Sequence, residues 1–322
     1  MAAASAKTVL NRVYTIEIAR VTEAAAIASA RLNGRGDEKA ADKAAVDAMR
    51  EALAKLSFRG TVVIGEGEMD EAPMLYIGEQ LGSGEGPEVD IAVDPLEGTT
   101  ICAKSMPNAL AVLAISEKGG LLNAPDMYMD KIAIGPGYPQ GIVDLDASPR
   151  DNLAALAGAK GVEISDLMAC ILDRSRHAKL IAEVRAAGAG IQLIPAGDIA
   201  GVIWAADSEK SGVDIYLGSG GAPEGVLAAA ALRCIGGQMQ ARLKPMNNDE
   251  TRRAAKMGID DIGRKFELPD MAGGDVIFSA TGVTDGSLLK GVHFRKGFAL
   301  SETLVMRAAS GTVRRIQTKS RI

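Results

Sequence analysis

Two carboxylates, Asp94 and Glu97, and the Thr99 hydroxyl gather at the end of Val89-Asp90-Ile91-Ala92-Val93-Asp94-Pro95-Leu96-Glu97-Gly98-Thr99-Thr100. Val89, Ile91 and Val93 alternate with Asp90, Ala92 and Asp94, the two-faced period of a strand. Pro95 has no N–H for a ladder, so the strand is predicted to end at Asp94. Glu97, a turn-permitting Gly98 and the Thr99 hydroxyl then lie just past a strand end, where open α/β sheets place ligands. A second acidic run, Gly65-Glu66-Gly67-Glu68-Met69-Asp70-Glu71, follows the apolar Val62-Val63-Ile64. Carboxylates brought close repel and raise one another's pKa unless a cation intervenes. Hard oxygen ligands suit Mg²⁺ or Mn²⁺, ions that also hold phosphates. The same residues also fit two solvated, unrelated acidic turns.

Asp42 joins these candidates from a helix. It lies four residues before Val46 and seven before Met49, on their apolar stripe. It reads as a ligand or base, or as a first-turn carboxylate serving the helix dipole. Further along, Arg174, Arg176 and His177 form a compact basic cluster after a strand end, and Arg forks match phosphate oxygens. Gly218-Ser219-Gly220-Gly221-Ala222-Pro223-Glu224-Gly225 reads as a loop that cradles phosphate or sugar at a helix N-terminus, or as a purely structural turn. It is not a dinucleotide fingerprint, because Pro223 stands where glycine is needed, nor a Walker loop. Tyr128 reads as a sugar-stacking ring or a half-buried core residue. An acidic metal cup and an Arg/Gly anion pocket together suit a substrate with phosphate at both ends.

The elements that must position these residues change character along the chain. Helices over 14–32 and 39–56 come first, then strands at 61–64 and 89–94, with a short helix between them that starts near Pro73 and ends before Gly82. A buried strand at 108–116 turns through Glu117-Lys118-Gly119-Gly120 into Leu121-Leu122, and 127–134 follows, giving a mostly antiparallel sheet. From about Ser148 strands alternate with helices: 167–172, helix 176–187, 191–194, helix from Asp198, 213–217, helix 224–235. That alternation implies a parallel sheet with its polar strand ends on one edge. Strand 238–243, a charged helix at 248–256 and closing strands at 276–279, 291–294, 298–306 and 312–317 complete the chain. Two parts are expected, 1–147 carrying the metal site and 148–322 carrying the sugar-phosphate pocket.

Composition narrows the classes. The chain has 322 residues, 47% of them hydrophobic, enough to bury a sizeable core. A net charge of −5 and an aromatic content of 3% argue against nucleic-acid binding. Three widely spaced cysteines read as free thiols of a reducing compartment, and two histidines make a His-rich zinc site or a Ser-His-Asp triad a poor fit. No apolar run approaches the roughly 20 residues of a membrane span, and charges interrupt any signal-like segment. A cytoplasmic protein is expected.

At Asp94-Pro95-Leu96-Glu97-Gly98-Thr99 the chain resembles the Asp-Pro-x-Asp-Gly-Thr/Ser signature of the lithium-sensitive, metal-dependent phosphatases, with Glu97 for the second Asp. That Glu, with the run from Gly65 through Glu71 to Ala72-Pro73-Met74-Leu75-Tyr76, is similar to class II fructose-1,6-bisphosphatase, the bacterial type. Gly34-Arg35-Gly36-Asp37, Asn123-Ala124-Pro125-Asp126-Met127-Tyr128, Gly220 to Gly225 and Phe278-Ser279-Ala280-Thr281-Gly282 extend the likeness over nearly the whole chain. The resemblance implies a layered α-β-α-β-α sandwich of mixed α/β class. It implies hydrolysis of the 1-phosphate of fructose 1,6-bisphosphate, with Mn²⁺ or Mg²⁺ as cofactor and a homo-oligomer, dimer or tetramer. Family metal ligands fall on Asp42, Glu66, Asp94, Glu97 and Glu224. Catalytic roles fall on Thr99, which helps position the attacking water, with Glu97 and Asp42. Substrate contacts fall on Glu97, Gly98, Thr99, Tyr128, Arg174, Ser175, Arg176, Asp198 and Gly221. Two positions depart from the family pattern. Ala196 stands where many members carry an Asp that meets sugar hydroxyls, and Thr100 where Arg is often found. Sedoheptulose 1,7-bisphosphate, alone or as a second substrate, is therefore a rival, as is a non-catalytic sugar-phosphate binding protein.

Overall fold

A computed structural model describes residues 9–67 and 74–322. In chain order the first elements are α1 (Tyr14–Ala30), α2 (Glu38–Leu53), β1 (Arg59–Ile64), β2 (Gln80–Leu81), β3 (Glu88–Glu97), α3 (Thr99–Ala103) and β4 (Leu110–Glu117). Next come β5 (Tyr128–Ile134), α4 (Pro149–Lys160), β6 (Met168–Leu172), α5 (Ala178–Ala187), β7 (Gly190–Ile194), α6 (Asp198–Ala206), α7 (Ser208–Ser211), β8 (Ile215–Gly221), α8 (Ala222–Ile235), β9 (Gln238–Lys244), α9 (Asn248–Lys256), β10 (Phe266–Glu267) and α10 (Leu268–Met271). β11 (Val276–Gly282), β12 (His293–Arg295), β13 (Phe298–Arg307) and β14 (Thr312–Arg321) close the chain. The class is mixed α/β, built on two mixed sheets.

The chain divides into two compact units, but not at 147. One unit comprises Met1–Asn123 with Ala272–Ile322, the other Ala124–Met271. The reason is strand pairing. β11 lies antiparallel to β4 from Val276↔Ser116 to Gly282↔Leu110, so the C-terminal strands return to the first sheet. β5 instead pairs with β8 and β9 and belongs to the second.

The first unit's sheet runs β12-β13-β11-β4-β3-β1-β2, with β14 on the outer side of β13. Among the described residues, only β1 and β3 are parallel in it. β4 (LAVLAISE) is buried through Ser116, as a strand covered on both faces must be. α1 packs on this sheet through a buried hydroxyl network. Thr22 meets Ser279 at 2.8 Å, Thr281 donates to Thr22 at 2.8 Å, and Thr318 donates to Glu23 at 2.6 Å. The Phe278–Gly282 motif therefore supplies partners for polar groups under α1, which are costly to bury without them. Leu121 forms a single bridge to Ala272 rather than the predicted strand. Residues 74–79 form bends and turns, not the helix expected there; 68–73, including Pro73, lie outside the described residues.

The second unit's sheet runs β10-β9-β5-β8-β6-β7. β6 is parallel to β7 and β8, as the strand–helix alternation predicts, and the remaining pairs are antiparallel. Ile132, Leu217, Leu153, Leu156 and Val184 share one core cluster, which puts α4 and α5 on one face. α6 and α8 cover the other, where Gly201 lies against the Tyr216 ring and Gly225 against Met129 and Lys131. The predicted Gly218–Pro223 loop is instead the end of β8, which reaches Gly221 and passes directly into α8. Among the described residues no helix is long and apolar enough to cross a membrane.

Candidate active site

In the first unit the candidate residues sit where β1 and β3 end. The parallel pair Ile64↔Ala92 sets the register. Glu66 and Asp94 each stand two residues beyond it, on strands about 4.8 Å apart. β3 does not stop at Pro95. Its ladder with β4 has Asp94 opposite Val112 and Glu97 opposite Leu110, a register shift that leaves Pro95 and Leu96 outside the pairing. Proline is tolerated there because a bulge asks nothing of its missing N–H. The shift also changes which way the acids face. Three residues apart on a regular strand, Asp94 and Glu97 would point to opposite faces. Their partners Val112 and Leu110 are two apart and share a face, so Asp94 and Glu97 share it too. It is the face away from α1, since Thr22 meets Ser279 and Thr281, whose partners Leu113 and Ala111 alternate with Val112.

Gly98 (φ 86°) turns the chain left-handedly into α3, whose first residue is Thr99. Glu97 is buried at 5% exposure, and Asp94, Gly98 and Thr99 are half-buried. α2 packs against both β3 and α3 and carries Asp42 half-buried at the margin of its Ala41, Ala45, Val46, Met49, Leu53 stripe. Burial raises the Asp42 carboxyl above its ordinary pKa. Glu66 is braced by two residues the sequence did not single out. Arg50 donates to Glu79 at 2.8 Å, and Glu79 accepts the backbone N–H of Leu75, whose carbonyl in turn accepts from Glu66 N at 2.9 Å. Glu68, Asp70 and Glu71 lie outside the described residues.

The second unit carries the rest. Tyr128 opens β5, and the Arg176 guanidinium stacks over its ring at 4.7 Å. Arg176 also donates twice to the Ser219 carbonyl, at 3.0 and 2.8 Å, which occupies two of its five N–H groups. Arg174 and Ser175 are exposed beside it. His177 is not part of an anion site: its Nδ1 donates to the Leu172 carbonyl at 2.7 Å and its Nε2 accepts from Ser219 N at 2.8 Å. Both nitrogens hold backbone, and burial lowers its pKa, so the ring is a neutral strut. Asp198 is the first residue of α6, 6% exposed, and is ion-paired with Lys131. Glu224 folds its carboxylate back over Gly221 at the start of α8. Burial first, then the Asp198 charge, push its pKa to about 7.

The structure thus brings Asp94 and Glu97 onto one face, with Glu66 just beyond the end of the neighbouring strand, while Asp42 lies on α2, which packs against β3 and α3. It brings Tyr128 to Arg176, and Asp198 to Gly221 and Glu224. Among the described residues no three acidic, His or Cys side chains converge as a complete metal site. The donor set nevertheless fits a hard divalent cation, because it is all carboxylate and sits at adjacent strand ends. Lys131 escaped the sequence reading, although it shares the strand parity of the core residues Met129 and Ala133.

Comparison with known proteins identifies the family. Residues 12–320 match the family described as "Bacterial fructose-1,6-bisphosphatase, glpX-encoded". The chain is 48% identical to "Fructose-1,6-bisphosphatase 1 class 2" of Escherichia coli (strain K12), over 96% of this chain and 95% of that protein. It has the same identity and coverage with "Fructose-1,6-bisphosphatase class 2" of Shigella flexneri. With a match over nearly its whole length, this chain belongs to the bacterial, class 2 fructose-1,6-bisphosphatase family.

Proposed function

We propose that this chain hydrolyses the 1-phosphate of fructose 1,6-bisphosphate, giving fructose 6-phosphate and phosphate, as a step of gluconeogenesis. The observation that carries the reading is the bulge in β3, which turns Asp94 and Glu97 onto one face at the strand end. Asp42, Glu66, Asp94, Glu97 and Glu224 are the residues that would hold Mn²⁺ or Mg²⁺. A divalent cation bound to such carboxylates supplies charge neutralisation at phosphate oxygens and a water of lowered pKa. Thr99, at the head of α3, offers a hydroxyl that orients the attacking water. Arg174, Ser175 and Arg176, with Tyr128, hold the far phosphate, and Arg176 retains donors for it after binding Ser219. Asp198 and Gly221 meet the sugar.

One observation favours a second sugar. Ala196 brings no carboxylate to its turn, and the Asp198 carboxylate is engaged by Lys131. Selection of sugar hydroxyls by charge is thereby weakened, which supports sedoheptulose 1,7-bisphosphate as an additional substrate. The protein acts in the cytoplasm as a homo-oligomer, dimer or tetramer. The test is phosphate release from both bisphosphates, with Mn²⁺ and Mg²⁺ titrated into chelator-treated enzyme and a sizing run alongside. Metal-dependent release from fructose 1,6-bisphosphate is expected; none with either metal, or full release without metal, sinks the reading.

A further inference from the structure

Lys131 lies in the middle of β5 with its side chain 0% exposed, among the largest fully buried side chains of the molecule. An ammonium is not held in such a place without partners, because desolvation costs more than packing returns. Its Nζ donates to Asp198 Oδ2 and to the Gly221 carbonyl, the latter at 2.7 Å. One nitrogen thus joins the middle of β5, the first residue of α6 and the last residue of β8. The glycines around it are clearances for this arrangement. A Cβ on Gly220 would sit 2.2 Å from Asp198 Oδ2 and 3.1 Å from Lys131 Nζ. A Cβ on Gly225 would meet Met129 Sδ at 2.7 Å and Lys131 Cδ at 3.5 Å. The Gly-rich stretch, which in sequence resembles a phosphate cradle, leaves room for a buried ion pair.

We propose that Lys131 is a positioning residue of the sugar side of the site, fixing the Asp198 carboxylate and the Gly221 turn in one geometry. This rests on the bisphosphatase reading, in which Asp198 and Gly221 contact the sugar. Lys131 touches no reacting atom; it acts through those two contacts, which belong to different elements and have no other common tether of this kind among the described residues.

The test compares the wild type, Lys131→Met and Gly220→Ala, all as full-length protein. Lys131→Met keeps the length of the side chain and removes the charge. Gly220→Ala keeps both charges and pushes the carboxylate off Nζ, and it serves if Lys131→Met does not fold. In the folded variants, checked by circular dichroism at the assay temperature, KM for fructose 1,6-bisphosphate and the inhibition constant of fructose 6-phosphate are expected to rise together at least tenfold, with kcat changed less. A residue that only stabilises the fold would lower Tm and leave both constants alone. KM and inhibition constant within twofold of wild type, in a folded variant of an active wild type, overturn the proposal. Wild-type protein that releases no phosphate overturns the bisphosphatase reading instead. In that case hydrogen exchange decides about Lys131: peptides spanning 197–201 and 218–225 exchange faster in the variant, and unchanged exchange there overturns the proposal.

Discussion

Gly65 offers a direct test of how the strand end is built. A Cβ added there would lie 2.0 Å from the Leu75 carbonyl oxygen and 2.8 Å from Val62 Cγ1, where real contacts begin near 3.4 Å. Leu75 cannot simply withdraw. It is fully buried, its N–H donates to Glu79, and Glu79 is held by Arg50 at 2.8 Å. The displacement of more than 1 Å therefore falls on residues 65 and 66, and the 2.9 Å bond from Glu66 N to Leu75 O is lost. Overpacking costs about 1–3 kcal/mol and the hydrogen bond about 1 kcal/mol, so Gly65→Ala should destabilise by about 2–4 kcal/mol. At about 2–4 °C per kcal/mol, Tm should fall by about 5–15 °C in calorimetry. Because Glu66 moves with the backbone, and misplacement by about 1 Å can cost about 100-fold, metal-dependent phosphate release should drop at least tenfold below the melting range. Gly158→Ala is the control of opposite sign. Gly158 lies inside α4 with nothing within 4 Å of the added Cβ, so alanine should stabilise by about 1 kcal/mol and leave activity unchanged. A Gly65→Ala protein with wild-type Tm and full activity would refute the account of the strand end.

Glu97→Ala should abolish turnover while circular dichroism stays that of a folded protein; retained metal-dependent phosphate release would remove Glu97 from the chemistry. Arg176→Ala should raise KM for the bisphosphate more than for fructose 1-phosphate, because only the former has a second phosphate for the guanidinium; equal changes argue against that role. Asp146 accepts from Arg242 at 2.6 Å and from Lys265 at 3.1 Å, which hold its carboxyl below the usual range of about 3.8. A depressed carboxylate adds stability above its ordinary pKa and loses it as pH falls through the folded value. Asp146→Asn should therefore be less stable than wild type near pH 7, the gap closing below about pH 4 in urea melts; a pH-independent gap contradicts the pairing.

What the sequence makes legible is what local periodicity and punctuation control. The helices at 14–30 and 38–53, the strands at 59–64 and 128–134 and the alternation from Pro149 to Ile235 all announce themselves by apolar spacing. So does the placing of acids after strands. Three things do not. Pro95 predicts a strand end because proline lacks a donor, yet a bulge satisfies the same constraint without ending the strand, and only the β4 register distinguishes the two. Gly218 to Gly221 reads as a loop because glycine is weak in strands, yet here the missing side chains are what let α6 and α8 close on β8. The return of β11 to β4 spans more than 150 residues and has no local signal at all, so the unit boundary at 147 could not have been corrected from composition or turns.

Two of the candidate carboxylates, Asp198 and Asp42, are held in different ways, and in the proposed reading this bears on selectivity. In the second unit the site carboxylate Asp198 is neutralised from within by Lys131, a strand residue that shares its burial. In the first, burial raises the Asp42 carboxyl above its ordinary pKa. Carboxylates gathered near adjacent strand ends gain from a cation that arrives with its own charge. In the proposed reading the phosphate-side acids depend on a metal ion, whereas the Asp198 carboxylate on the sugar side is already paired with Lys131. In the proposed reading, with Ala196 contributing no charge, discrimination among sugars rests on the position of Asp198 and Gly221 rather than on the number of carboxylates. In the proposed reading, a geometry set by one buried ammonium leaves the hydroxyls it does not touch unselected, which is the condition for a second ketose bisphosphate.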